Sequence, residues 1–164
     1  MRLSWLAVSC SITIALSFQV QAEETATLDV PDWFMKCLSI SADAPGAQAR
    51  EMDCVNLAEH YCRTTREDAA VTPCLEGLER DALARSEALS ARLAGSEAPH
   101  GFKPREQSLF ERRLKRALGG EEYTYTGCGS AGTQGSCGFL EVGLRFVELR
   151  SLARQVGLTS DESD

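Results

Sequence analysis

Histidine is scarce in this chain, with two in 164 residues, and aromatic side chains make up only 7%. Positive charge is in deficit: 17 Lys and Arg face 24 Asp and Glu, a formal net charge of −7. A surface of that sign does not suit a general nucleic-acid binder, because phosphate contacts need basic side chains. The two histidines leave little material for a nucleophile–base pair. His60 falls on the polar face of its expected helix, His100 sits in a Pro/Gly connection, and no Gly-x-Ser-x-Gly elbow lies near either. No Cys-x-x-Cys pair occurs, so the spacing of thioredoxin-like redox sites and of zinc sites is missing. Carboxylate neighbours such as Glu76/Glu79 and Glu121/Glu122 have the chemistry for acid–base work, but 24 acids make such pairs inevitable. The expectation is a protein without catalytic residues, metal or cofactor.

One motif matches in letters only. Gly127-Cys128-Gly129-Ser130-Ala131-Gly132 reads Gly-x-Gly-x-x-Gly. A dinucleotide fingerprint needs a strand before it, a helix directly after it and a surrounding βαβ unit. Here the glycines run on through Gly135 to Cys137, and flexible backbone that lets two nearby cysteines meet is the simpler account.

The N-terminus has the three parts of a secretory signal. Arg2 is the only charge before Glu23, an apolar run extends from Leu6 to Phe18, and Val20-Gln21-Ala22 supplies a small-x-small cut site. The run is shorter than the roughly 20 apolar residues a spanning helix needs. Cleavage after Ala22 leaves 142 of the 164 residues and, with Arg2 gone, a net charge of −8. The chain is expected to be periplasmic or secreted, with no membrane insertion after cleavage.

Six cysteines then remain: Cys37, Cys54, Cys62, Cys74, Cys128 and Cys137. An even number in an exported chain reads as a disulfide framework. Six cysteines allow 15 pairings, and the sequence by itself does not choose among them. Cys54 and Cys62 share one helix about 12 Å apart, too far to pair with each other. Cys37 and Cys54 flank the turn Asp43-Ala44-Pro45-Gly46, Cys62 and Cys74 flank the connection Glu67 to Val71, and Cys128 and Cys137 bracket the glycine-rich loop. Antiparallel helices joined by short loops bring such symmetric positions together, which favours 37–54, 62–74 and 128–137.

The rest of the mature chain reads as helix. Residues 23–30 form a loose lead-in and 159–164 an acidic tail, leaving one domain over 31–158. Asp32 can cap a helix from Trp33 to Ser41. Residues 47–66 place Cys54, Leu57, Ala58, Tyr61 and Cys62 on one face. Thr72-Pro73 has the form of a helix start, followed by Leu75, Leu78, Ala82, Leu89 and Leu93. Pro104 opens a helix that Gly119-Gly120 stops. Glu121 to Thr126 alternates as an isolated strand would, Gly127 to Gly138 is a loop, and Val142, Phe146, Leu149, Leu152 and Val156 mark a last helix. The expected fold is all-α: a small bundle of four or five helices stapled by disulfides, with the Gly-rich loop before the last helix. Charge is uneven along it. Residues 23–102 carry 7 basic and 15 acidic side chains, 103–119 carry 6 and 2, and 120–164 carry 3 and 7. The plain reading of the basic stretch is a solvated helix face paired with its acidic neighbours; the sharper one is a contact site for an anionic envelope polymer or a partner's acidic cleft.

Cys54 and Cys62 on one helix, Cys74-Leu75 opening a long one, a late Cys128, and Gly132-Thr133 and Cys137 before a final helix with Leu140, Leu149 and Arg150 form a pattern. It resembles the exported LprI-type lysozyme-inhibitor family in its cysteine-rich form from Gram-negative envelopes. The resemblance runs from about Cys37 to Leu152. Where that family carries a Trp-x-x-Tyr/Phe-Arg-Asp stretch, this chain has Glu121-Glu122-Tyr123-Thr124-Tyr125-Thr126-Gly127. The resemblance implies a non-enzymatic periplasmic protein-binding domain and a lysozyme-like muramidase as partner; the alternative is an envelope structural or interaction module without inhibitory activity. The acidic surface suits attraction to a basic enzyme. The uncharged loop Gly127 to Gly138 reads first as a plain glycine-rich connection; if the partner is such an enzyme, its Ser130, Thr133 and Gln134 are the donors expected to meet the carboxylate-bearing cleft.

Overall fold

The computed structural model describes residues 28–119 and 134–158. Within them lie five helices: α1 (Val30–Ala42), α2 (Ala47–Thr64), α3 (Asp68–Leu93), α4 (Pro104–Gly119) and α5 (Gln134–Gln155). No strand occurs among the described residues, and the all-α, disulfide-stapled bundle is what the residue spacing predicts.

Three helix starts differ from the sequence reading. The first helix begins at Val30, capped by Asp29, whose Oδ1 accepts a hydrogen bond from the Asp32 N–H at 3.2 Å. Asp32 therefore sits in the first turn, where its charge favours the helix N-terminus. It also accepts a hydrogen bond from Lys36 Nζ at 2.7 Å, and that bond, then the opposite charge, raises the Lys36 pKa above its ordinary 10.5. The third helix starts at Asp68, so most of the expected connection Glu67 to Val71 is helical and Pro73 lies inside the helix. Thr72 is not its cap. A proline there removes one backbone hydrogen bond, and the bond from Cys74 to Cys62 holds the affected turn against α2. The last helix starts at Gln134, so the segment Gln134 to Gly138 is helix rather than loop. Glu121 to Thr126 lies outside the described residues.

Other ends follow local chemistry. Gly46 turns the chain into α2 with φ of 73°, a left-handed value that glycine adopts without penalty. At α4 the Glu106 carboxylate reaches back to the Lys103 N–H at 2.8 Å, half of a capping box. Arg145 Nε donates to the Ala117 carbonyl at 3.0 Å and satisfies the last turn of the same helix. α5 ends in a Schellman motif: Leu158 N–H to Ala153 C=O at 2.9 Å, Gly157 N–H to Arg154 C=O at 3.2 Å, with Gly157 at φ 73°.

α5 is the central helix. It packs against α2, α3 and α4, while α1 packs on α2 and α3. Phe139, Phe146, Val147, Leu149, Leu152 and Ala153 of α5 are all buried, and so are Leu75, Leu78, Leu89 and Leu93 of α3. Phe34 of α1 meets Phe139 edge-on at 5.5 Å, and Trp33 meets Tyr61 of α2 at 4.8 Å. Gly143 sets how closely α2 approaches α5: a Cβ there would fall 2.8 Å from Val55 Cγ1.

Candidate functional site

Cys37 is bonded to Cys54, with Cα atoms 5.9 Å apart, and Cys62 to Cys74, at 5.7 Å. The first ties α1 to α2, the second α2 to α3. Cys54 and Cys62 are buried, and Ser41 Oγ lies 3.6 Å from Cys54 Sγ. Cys137 is disulfide-bonded within the first turns of α5, and Cys128 lies outside the described residues. Ser130 and Thr133 also lie outside them, and Gln134 is the first residue of α5.

The most organised polar group lies where α1, α2, α4 and α5 converge. Glu51 of α2 is wholly buried. Its Oε1 accepts from Arg150 Nε at 2.9 Å and from Arg154 Nη1 at 2.7 Å, and its Oε2 accepts from Arg154 Nη2 at 2.8 Å. Arg150 Nη2 also donates to the Leu38 carbonyl at 3.3 Å, and its guanidinium stands 5.7 Å from the Phe146 ring centre. A second cluster adjoins it. Arg113 of α4 grips Glu148 of α5 through Nε to Oε1 at 2.6 Å and Nη2 to Oε2 at 2.9 Å. Gln48 Nε2 donates to Glu148 Oε2 at 2.8 Å, and Ser151 Oγ lies between Arg113 Nη2, at 3.3 Å, and Gln48 Oε1, at 3.4 Å.

Chemically these clusters are ties. Each carboxylate already accepts two or more charge-assisted hydrogen bonds, which fixes it as an ion-pair partner. A buried pair of this kind contributes little over an apolar replacement, but removing one partner strands the other charge at a cost of several kcal/mol. The clusters lock the N-terminal half of α2, the middle of α4 and the end of α5 into one geometry. Beside them runs a shallow groove of about 710 Å³, lined by Gly46, Gln48, Met52, Ser151 and Arg154 among others.

Glu51 is not among the residues Cys54, Leu57, Ala58, Tyr61 and Cys62 that the sequence pattern puts on the inner face of α2, and the structure places it on that face. The signal was present: Glu51 precedes Cys54 by three residues and Ala58 by seven, the spacing that buries both. Arg150 and Arg154 likewise follow Phe146 at intervals of four.

The remaining sequence candidates stand apart. His60 and His100 are exposed, on α2 and in the α3–α4 connection. Glu76 is exposed on α3, whereas the Glu79 carboxylate lies against the backbone of Gly138, where a Cβ would collide with Glu79 Oε2. Among the described residues no three His, Cys, Asp or Glu side chains gather as a metal site, and no helix is long and apolar enough to cross a membrane.

The surface charge is uneven. Asp43, Asp53, Glu67, Glu76, Asp81 and Glu87 on and between α1–α3 are exposed, interspersed with Lys36, Arg50, Arg63, Arg80 and Arg92, and α4 exposes Arg105, Arg112, Lys115 and Arg116 beside Glu106 and Glu111. Compared with protein-family models, with curated proteins and with solved structures, the chain finds no match.

Proposed function

We propose that this chain is an exported, non-enzymatic binding protein whose partner is a basic, lysozyme-like muramidase. The observation that carries the reading is the distribution of carboxylates. Among the described residues Glu51 is the one wholly buried acid and is compensated inside by two guanidinium groups, while most other acids of α1–α3 stand at the surface. What a partner meets from that side is a field of negative charge on a scaffold held by disulfides and interior ion pairs. Such a field speeds encounter with a basic enzyme, and a preorganised scaffold lowers the ordering cost of binding. The likeness of the cysteine spacing to the LprI-type lysozyme-inhibitor family supports the same partner class.

Blocking the enzyme itself falls to the uncharged segment anchored through Cys137, with Ser130, Thr133 and Gln134 as donors toward the catalytic carboxylates. The experiment is a titration of purified exported protein into lysis assays with several lysozyme types. Stoichiometric loss of lysis is expected for at least one type. Alanine replacement of Ser130, Thr133 and Gln134, with both flanking cysteines kept, is expected to abolish it. Undiminished lysis throughout would leave the protein as an envelope interaction module without inhibitory activity.

A further inference from the structure

Beyond the muramidase reading, and independent of it, we infer that the outer face of α4 is a docking surface for an anionic phospholipid bilayer. Phe110, Leu114 and Ala117 are the buried face of this helix. At about 100° per residue, Arg105, Leu109, Arg112 and Arg116 fall within an arc of about 60° on the opposite side. All four are exposed, Leu109 to 49%, and Lys115 borders the row.

The cations of this row are not paired with the acidic helices. Among the described residues Arg105, Arg112, Lys115 and Arg116 have no hydrogen bond or ion pair. The two acids of α4 are engaged elsewhere: Glu106 caps Lys103, and Glu111 accepts from Gln107 Nε2 at 2.9 Å. The inward cation, Arg113, takes Glu148. A chain of net charge −7 with 24 acids thus presents, on one helix, a line of cations without an ion-pair partner among the described residues.

The shape of the row selects the occupant. It runs about 16 Å along a convex helix, and α4 packs inward on α5. A convex line has no walls to enclose a small anion or an extended peptide. It does match a plane in which separate headgroups each offer a phosphate, and Leu109 adds an apolar contact midway along it. A second copy of this chain would have to offer its acidic helices to the row, and self-association separates that occupant in the test below.

The test is co-sedimentation of the purified exported protein with vesicles of phosphatidylglycerol and phosphatidylcholine in equal parts, against phosphatidylcholine alone. Binding to the anionic vesicles only is expected at about 0.1 M salt and its loss at about 1 M, where the Debye length falls from about 10 to 3 Å. The variant Arg105→Gln/Arg112→Gln/Arg116→Gln, with unchanged circular dichroism, is expected to bind on the order of 100-fold more weakly. Lys36→Gln/Arg50→Gln/Arg80→Gln removes the same charge elsewhere and is expected to bind as the unaltered protein does. Absence of binding, equal binding to both vesicles, or equal loss in the two variants would overturn the inference. Arginine-dependent self-association in a vesicle-free ultracentrifugation run would overturn it too, by assigning the row to a second copy.

Discussion

The Glu51 carboxylate and the Arg150 guanidinium, 99 positions apart in the chain, meet at 2.9 Å with side chains 0% and 4% exposed. Arg154 completes the cluster from the next turn of α5 and is 24% exposed. The three residues tie the second helix to the last, and Arg150 reaches on to the Leu38 carbonyl of the first.

Glu51→Leu strands Arg150 without its charge partner in the interior. A loss of roughly 3–5 kcal/mol is expected in urea unfolding. Glu51→Leu combined with Arg150→Met is expected to regain most of it, since Arg154 can turn to solvent. A double variant no more stable than the single one would show that the cluster is not the tie described.

Gly143→Ala places a methyl group against Val55, a stiff β-branched side chain. The expected cost is about 1–3 kcal/mol, relieved in a Gly143→Ala/Val55→Ala pair. Purely additive effects in that double-mutant cycle would mean that the added methyl group does not act through Val55.

These two contacts also mark what sequence could and could not give. The inner faces of α2 and α3 were legible because Cys54, Ala58, Cys62, Leu75, Leu78 and Ala82 recur at three and four. The start of α3 was not, since Thr72-Pro73 has the form of a cap, yet the helix begins a turn earlier and carries Pro73 inside it. The start of α5 was hidden by Gly135 and Gly138, which read as loop. Glu51 was legible by spacing and obscured by its charge, because its partners lie about a hundred residues on. The proposed contact residues Ser130 and Thr133 fall outside the described residues.

Replacing Cys62 and Cys74 with serine removes the staple beside Pro73. The bond closes a short loop, worth roughly 2–3 kcal/mol in the chain-entropy model. Hydrogen exchange is expected to quicken most over Asp68 to Thr72, with Leu78 to Leu93 still protected. Uniform quickening along α3 would show that the proline-bearing turn needs no such support.

Arg113→Ala removes the grip of α4 on Glu148, Gln48 and Ser151. Faster exchange over 104–119 is expected, with α1–α3 unchanged, because α4 packs mainly on α5. Unchanged exchange in α4 would mean that Phe110, Leu114 and Ala117 hold it alone.

The most direct measurement is the rate of association between the purified exported protein and a basic muramidase at about 0.05 M and about 0.3 M salt. Saturable binding is expected, with an association rate that falls roughly tenfold or more as salt rises and a dissociation rate that changes little. No binding at either salt concentration, or an association rate indifferent to salt, would contradict the proposed function.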